Sequence, residues 1–217
     1  NSNNRKDNFN FSGSYKVTPK TRISTSANYL TSNAIGMNET GYGDGGNNYL
    51  SSVRQWYTTN ADFGDLKEAY EITGKNTTWN VGSPDNLAVQ FHDNPYFQRY
   101  NNYNSLKRDR FFGNVVVKTE VTNWFDIMGR GAVDFYHQLQ EERIAVGSKR
   151  TPNALGQYSR YDKNFREINL DLVLNFITAI TDGINFNGMI GGNTRRSVNN
   201  SIYAVTNGGL VVPGIYA

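Results

Sequence analysis

Three charged residues of this chain are spaced so that they could work together on one strand. Asp126, Arg130 and Asp134 follow one another at intervals of four residues, and strand residues at even separations share a face, about 7 Å apart for each i, i+2 step. Such a set could perform acid–base chemistry or form a ladder of ion pairs facing water. We favour the ladder and expect no enzyme, because glycosidase chemistry needs two carboxylates about 5 to 10 Å apart across a cleft, and nothing in the sequence pairs two of them.

Aromatic residues in polar stretches are the candidate ligand contacts. Trp56, Trp79 and Tyr96 lie in a long stretch rich in Gly and Asn. Such rings can stack on sugars or pack peptide side chains at low entropic cost. The alternative is that they pack the stretch against itself or against a partner protein. Trp124 and Phe125 differ, because they lie at a tight turn, where aromatic girdles anchor membrane barrels.

The remaining motifs predict no cofactor and no metal. His92 and His137 are the only histidines, and neither has Cys or carboxylate neighbours at zinc-ligand spacing. The glycine-rich 41–46 segment, GYGDGG, lacks both the strand-to-helix context of a phosphate loop and the ligand repeat of a calcium loop.

Composition excludes several classes of protein. The chain has 217 residues, of which 37% are hydrophobic, and its mean hydropathy is −0.62, so no stretch approaches the roughly 20 apolar residues of a membrane-spanning helix. The 14 Tyr, 12 Phe and 3 Trp exceed what disordered chains carry. A net charge of +3 with scattered basic residues argues against nucleic acid as a partner. The first residues contain no export signal, so for an exported protein we expect the gene to start earlier.

Alternation of apolar and polar residues predicts strands. Six segments show this period, namely 9–17, 22–29, 111–121, 125–136, 167–176 and 184–190. Short turns at 18–20 and 122–123 alternate with long connections over 31–107 and 138–160, a link spans 177–183, and we expect a loop from Gly191 onward. Within the first long connection, Asp65 is predicted to cap a short helix that ends at Gly74.

Segregated short and long connections are typical of outer-membrane β-barrels. The charged faces need water, and only a closed ring satisfies every backbone group in lipid. We therefore expect an all-β fold in which residues 1–217 are an antiparallel transmembrane barrel segment with long extracellular loops and with Asp126, Arg130 and Asp134 facing the lumen. Six strands are fewer than the roughly eight of the smallest such barrels, so the chain is a fragment or one of several sharing a barrel. The alternative is a soluble, secreted β-sandwich that binds carbohydrate or acts as an adhesin.

Several segments resemble the SusC/RagA family of TonB-dependent transporters of Bacteroidota. They are NPYFQRYNNYNSLKRDRFFGN (94–114), TNWFDIMGRGAVDFYH (122–137), NFREINLDLVLNF (164–176) and VVPGIYA (211–217). The resemblance implies a bacterial outer-membrane barrel of about 22 strands with an internal plug, energised by TonB and capped by a SusD-like lipoprotein that helps to capture glycans or peptides. The sequence shows no TonB box, plug or terminal aromatic strand, so we expect this segment not to transport alone.

Overall fold

A computed structural model describes residues 2–38, 48, 53–54 and 56–216. In chain order, the strands and long helices are β1 (Asn3–Lys16), β2 (Thr21–Ile35), α1 (Phe63–Thr73), β3 (Val81–Ser83), β4 (Asn86–Val89), α2 (Pro95–Asn101), β5 (Tyr103–Thr122), β6 (Phe125–Ile144), β7 (Gln157–Thr181) and β8 (Ile184–Val205). Among these residues, no helix combines the length and the apolar character needed to cross a membrane.

Six strands form one antiparallel sheet in the order β1-β2-β5-β6-β7-β8, and β3 pairs with β4 in a separate hairpin. Each strand of the large sheet pairs with its neighbours over most of its length. The β1 and β8 strands are the two edges of this sheet. The sheet is therefore open within the described part of the chain.

The register places most of the apolar residues of the six strands on one side, which we call the apolar face. Tyr29, for example, lies opposite both Phe9 and Phe111, and Phe111 lies opposite Phe135. The face comprises Phe9, Phe11, Tyr15, Ile23, Ala27, Tyr29, Phe111, Val115, Val117, Phe125, Ile127, Val133, Phe135, Ile168, Leu170, Leu172, Leu174, Phe176, Phe186 and Ile190. The intervening residues form the polar face, because successive side chains of a strand point to opposite sides.

Exposure on the two faces is the reverse of that in a soluble sheet. On β7, Leu170 and Leu172 are 53% and 54% exposed, whereas the side chains of Glu167 and Asp171 on the polar face are only 15% and 14% exposed. A sheet in water buries its apolar side and solvates its charges. In this sheet the carboxylates of the polar face are less exposed than the leucines of the apolar face.

The connections are segregated between the two ends of the sheet, as the sequence predicts. Tight turns at 17–20, 123–124 and 182–183 lie at one end, which we call the turn end. The described parts of the connection between β2 and β5, the connection 145–156 and the segment 206–216 lie at the other, the loop end. The buried apolar residues of the described chain belong either to the loop-end parts of β2 and β6 or to the connections at that end, namely Ala34, Leu66, Pro95, Phe97, Ile144 and Leu210.

The strands extend further toward the loop end than predicted. The β5 strand begins at Tyr103 rather than near Phe111, β6 continues to Ile144, β7 occupies Gln157–Thr181, and β8 runs to Val205 where a loop was expected from Gly191. These extensions carry polar residues on both faces, so the alternation that marks a strand is missing there. Backbone pairing with the neighbouring strands maintains them instead.

The predicted helix is present, but its N-cap is different. The helix α1 is capped by Asp62, whose carboxylate accepts a hydrogen bond from the Gly64 backbone N–H at 2.6 Å. Asp65 lies in the first helical turn, so the prediction that it caps the helix is wrong. Gly74 ends the helix in a left-handed conformation, as predicted, with φ of 64°.

The contact between β2 and β5 requires glycine at position 113. A Cβ on Gly113 would lie 2.5 Å from the Ser26 carbonyl oxygen, whereas a Cβ on Gly129, also on the apolar face, would meet nothing within 4 Å. We expect Gly113→Ala to destabilise the full-length protein by about 1–3 kcal/mol, as overpacking does, and Gly129→Ala to stay within about 0.5 kcal/mol. Urea unfolding of both variants measures the difference, and equal stabilities would contradict the predicted clash.

Candidate functional site

The three predicted charged residues lie on the polar face of β6. None of them pairs with another of the three, because each forms an ion pair with a neighbouring strand. The pairs are Asp126 with Lys118 at 3.3 Å, Arg130 with Asp171 at 2.6 Å, and Asp134 with Arg110 at 2.5 Å. The carboxylates are thus matched one by one with cations, which is the ladder arrangement rather than an acid–base pair.

The same ladder continues across β7 and β8. Glu167 pairs with Arg195 at 2.5 Å. The Asn193 amide donates to Asp171 at 2.6 Å, and the Asn175 amide donates to Asp126 at 2.7 Å. Charge-assisted hydrogen bonds of this kind fix side-chain geometry. The polar face is therefore an ordered, nearly neutral network over the part of the sheet nearest to the turn end.

Aromatic residues lie along the two borders of the apolar face, one toward the turn end and one toward the loop end. At the turn end, Phe125 and Phe176 stack at 5.0 Å between ring centroids, and Trp124 lies 6.3 Å from Phe176. At the border toward the loop end, Phe111 and Phe135 stack with ring centroids 5.2 Å apart. The apolar face thus forms a belt with aromatic borders, which we call the apolar band.

The height of the apolar band matches a membrane. Phe125 and Phe135 are ten residues apart on β6, which corresponds to about 33 Å along a strand. A tilt of about 40°, usual in outer-membrane barrels, reduces this to a height of about 25 Å, the height of the apolar belt of such barrels.

Two of the three predicted aromatic ligand contacts come together at the loop end. Trp56 stacks on His92 with centroids 5.7 Å apart, and Trp79 meets the same imidazole edge-on at 5.4 Å. Tyr57 lies 4.7 Å from Trp79 and 4.4 Å from Phe63. The cluster packs the connection against itself, as the alternative interpretation allows, while Trp56 remains 45% exposed.

The third predicted contact, Tyr96, lies apart from this cluster. It is a half-buried residue in the first turn of α2, where its backbone N–H donates to the Asn94 side chain at 2.8 Å. The structure gives its ring no aromatic neighbour among the described residues. Among the described residues, Tyr96 therefore makes no ring contact with the cluster that contains Trp56 and Trp79.

Asn94 organises the loop end and was missed by sequence reasoning. It is fully buried, and its side-chain amide donates to the carbonyl oxygens of Leu66 and Thr77 at 2.8 and 2.7 Å. Its side-chain oxygen accepts from the N–H groups of Tyr96 and Phe97. The signal was in the sequence, because Asn followed by Pro is a typical N-cap and first helical residue.

Hydrogen bonds also join the two long connections to each other. Asp93 accepts from the Ser148 hydroxyl at 2.5 Å and from the Lys149 backbone N–H at 2.8 Å. The Asn102 side chain donates to Ser148 at 2.7 Å and accepts from the Ala145 N–H at 2.8 Å. The segments 93–102 and 145–149 of the two connections are therefore held together by hydrogen bonds at the loop end.

Comparison with known proteins gives structural relatives but no relatives in sequence. No family model matches the chain, and no curated protein matches it. The chain is similar to solved structures of the RagAB peptide importer in its closed-closed state, with a TM-score of 0.64 at 10% identity, and of the RagAB peptide transporter, with a TM-score of 0.64 at 11% identity. Each match covers 96% of this chain and 22% of the other.

At such low identity the likeness concerns the fold. Almost the whole of this chain superposes on about a fifth of a much longer one. The sequence-based expectation of an all-β, antiparallel barrel segment is thereby confirmed. This chain has the fold of a six-stranded segment of a larger β-barrel.

Proposed function

We propose that the chain is part of the wall of a TonB-dependent importer in the bacterial outer membrane, a SusC/RagA-type barrel of about 22 strands. The observation that carries this proposal is the reversed exposure of the sheet, in which leucines on β7 are more exposed than the carboxylates beside them. Lipid around an aqueous lumen is the environment that suits such a sheet.

In this proposal the apolar band contacts lipid and the polar face lines the lumen. The aromatic borders lie at the two membrane interfaces, where Trp and Tyr are enriched in such barrels. Asp126, Arg130 and Asp134 then belong to the lumen wall, where water and their ion-pair partners solvate them. The turn end faces the periplasm and the loop end faces the outside.

The importer would take up peptides or glycans together with a SusD-like surface lipoprotein. The loop end is the side available to that partner, and Trp56, Trp79 and Tyr96 remain the proposed contacts for ligand or partner at this end. TonB would act through parts of the protein outside this segment. The names of the similar solved structures, which are peptide importers, support transport as the function.

Spin labelling along β7 tests which side of the sheet meets lipid. The chain has no cysteine, so after replacement of any cysteines in the rest of the full-length protein, single cysteines can be placed at 168–176 and the protein studied in lipid bilayers. We expect nitroxides at even positions to be relaxed by oxygen, which partitions into lipid, and those at odd positions by a water-soluble nickel complex. This alternation follows from the period of two in a strand.

A secreted sandwich would give a different result. Its apolar face would be covered by a second sheet, so labels at even positions would be reached by neither reagent, and the protein would stay soluble without detergent. Labels at Arg160 and Asp162, which lie beyond the apolar band on the same side of β7, provide the matched control. We expect the nickel complex to reach both.

A further inference from the structure

Between the ion-pair ladder and the loop end, the polar face carries aromatic residues and cations instead of ion pairs between strands. The register places Gln138 of β6 between Arg108 of β5 and Lys163 of β7. One step closer to the turn end, Tyr136 and Phe165 face each other. These positions form a continuous patch on the polar face, which we call the cationic patch and define as Arg108, Tyr136, Lys163 and Phe165.

Two cations of the cationic patch share one aromatic ring. Tyr136 and Phe165 stack with centroids 5.0 Å apart. The Arg108 guanidinium carbon lies 5.2 Å from the Tyr136 centroid, and the Lys163 ammonium lies 5.6 Å from it. Arg108 also donates to the Gln138 side-chain oxygen. The aromatic ring attracts both cations but leaves their formal charge uncompensated.

The lack of carboxylate partners distinguishes this patch from the ladder beside it. Arg110, Arg130 and Arg195 on the same face each have a carboxylate within 2.6 Å. Over the residues that the structure covers, neither Arg108 nor Lys163 has one within ion-pair distance. Two like charges without carboxylate partners thus flank one aromatic ring on a half-buried surface, which raises the local affinity for anions.

An open depression of about 290 Å³ adjoins the patch on its loop-end side. Gln140, Tyr161 and Tyr203 line part of it, and they lie one register step above Arg108 and Lys163. Its lining also includes the carboxylates of Glu141 and Glu142, which form ion pairs with Arg143 and Arg150 and so add no net charge to the depression. Asn104, also on its wall, has a buried side-chain oxygen with no hydrogen-bond donor in the described part of the chain.

We propose that the cationic patch binds a carboxylate of a peptide that enters along this wall, with the peptide backbone in the adjoining depression. This inference rests on the proposed function, and it selects peptides with free acidic groups as the substrate class. An Arg fork matches a carboxylate, and the Tyr136–Phe165 stack offers a surface for an adjacent side chain. A neutral glycan would leave both cations unpaired.

Calorimetric binding to the full-length protein in detergent tests the site. The probes are an octapeptide with two aspartates and a free C-terminus, the same peptide with asparagines and an amidated C-terminus, and an oligogalacturonate. We expect Lys163→Gln to weaken binding of the acidic peptide by about fivefold, and Arg108→Gln with Lys163→Gln by about 10- to 100-fold. The neutral peptide should bind the unmodified protein about as weakly as the acidic peptide binds the double variant.

Two controls separate charge from fold. Lys107→Gln removes a cation from the opposite face of β5, next to Arg108, and should leave peptide binding unchanged. Lys163→Arg keeps the charge and should restore the affinity that Lys163→Gln loses. Because Lys163→Gln removes no ion pair or hydrogen bond given by the structure, it should fold even if the double variant does not.

Three results would overturn the proposal: equal binding of the acidic and neutral peptides, tighter binding of oligogalacturonate than of the acidic peptide, or no binding of any probe to the unmodified protein. Failure of the proposed function is recognised separately by spin labelling along β7. If the spin labels alternate but Lys163→Gln does not change the affinity for the acidic peptide, the proposed binding site is wrong while the proposed importer function is still supported.

Discussion

Full-length protein carrying Leu172→Arg is expected to lose about 2–4 kcal/mol of folding free energy in a lipid bilayer and to accumulate poorly in the membrane. Leu172 lies in the middle of the apolar band on β7, between Leu170 and Leu174. A charge facing lipid at the midplane of a barrel costs this amount, and the cost falls toward the interfaces. Urea unfolding in bilayers of defined composition measures the loss.

Two matched variants check the cause. Val173→Arg places the same charge at nearly the same depth on the polar face, close to Asp171 and Asn175, and we expect it to cost less than about 1 kcal/mol. His137→Arg lies on the side of the apolar band but beyond its edge, beside Asp162, and should also be tolerated. If Val173→Arg proved as damaging as Leu172→Arg, the assignment of the faces to lipid and lumen would be wrong.

Asn94→Asp is expected to have the largest effect at the loop end. The substitution keeps the shape and the cap of α2 but replaces an amide donor with an oxygen that faces the carbonyls of Leu66 and Thr77. Two buried acceptors would lose their donor, at about 1–3 kcal/mol each, and the new oxygen would repel them. We expect the structured connection over residues 56–102 to lose roughly 3–6 kcal/mol of local stability.

Limited proteolysis followed by mass spectrometry measures this effect. Cleavage in the variant should appear between residues 56 and 102, while the strands of the sheet remain protected. Asn86→Asp is the control, because Asn86 is an exposed residue whose side-chain oxygen accepts from Ala88, a role that aspartate retains. An unchanged cleavage pattern in Asn94→Asp would show that Asn94 does not hold the connection together.

The sequence predicts the strands of the sheet correctly in the part where one face is apolar and the other polar, because the alternation is visible there. On β7 the alternation from Ile168 to Phe176 is almost unbroken, and its prediction as a strand is confirmed. Toward the loop end, β5 to β8 continue with polar residues on both sides, so their length depends on pairing with neighbours that a single segment does not reveal.

The candidate site was harder to predict, because register decides it. Asp126, Arg130 and Asp134 could be placed on one face by counting in steps of two. Their partners, and the meeting of Arg108 with Lys163 across Gln138, depend on how three strands align. Asn94 was overlooked because its hydrogen bonds reach residues 17 and 28 positions away, although its position before Pro95 marks a helix start.

The long strands have a mechanical consequence for the proposed importer. Beyond Phe135, β6 continues for nine residues to Ile144, or about 30 Å along the strand, and its neighbours accompany it. The barrel would thus end in a rigid collar, formed by the strand extensions, that projects beyond the lipid headgroups. Backbone hydrogen bonds between neighbouring strands would make this collar rigid. The diameter of the barrel at this end would then be nearly constant. Entry of substrate would therefore be controlled by the loops or the partner protein that cover this end, and not by the extended strands.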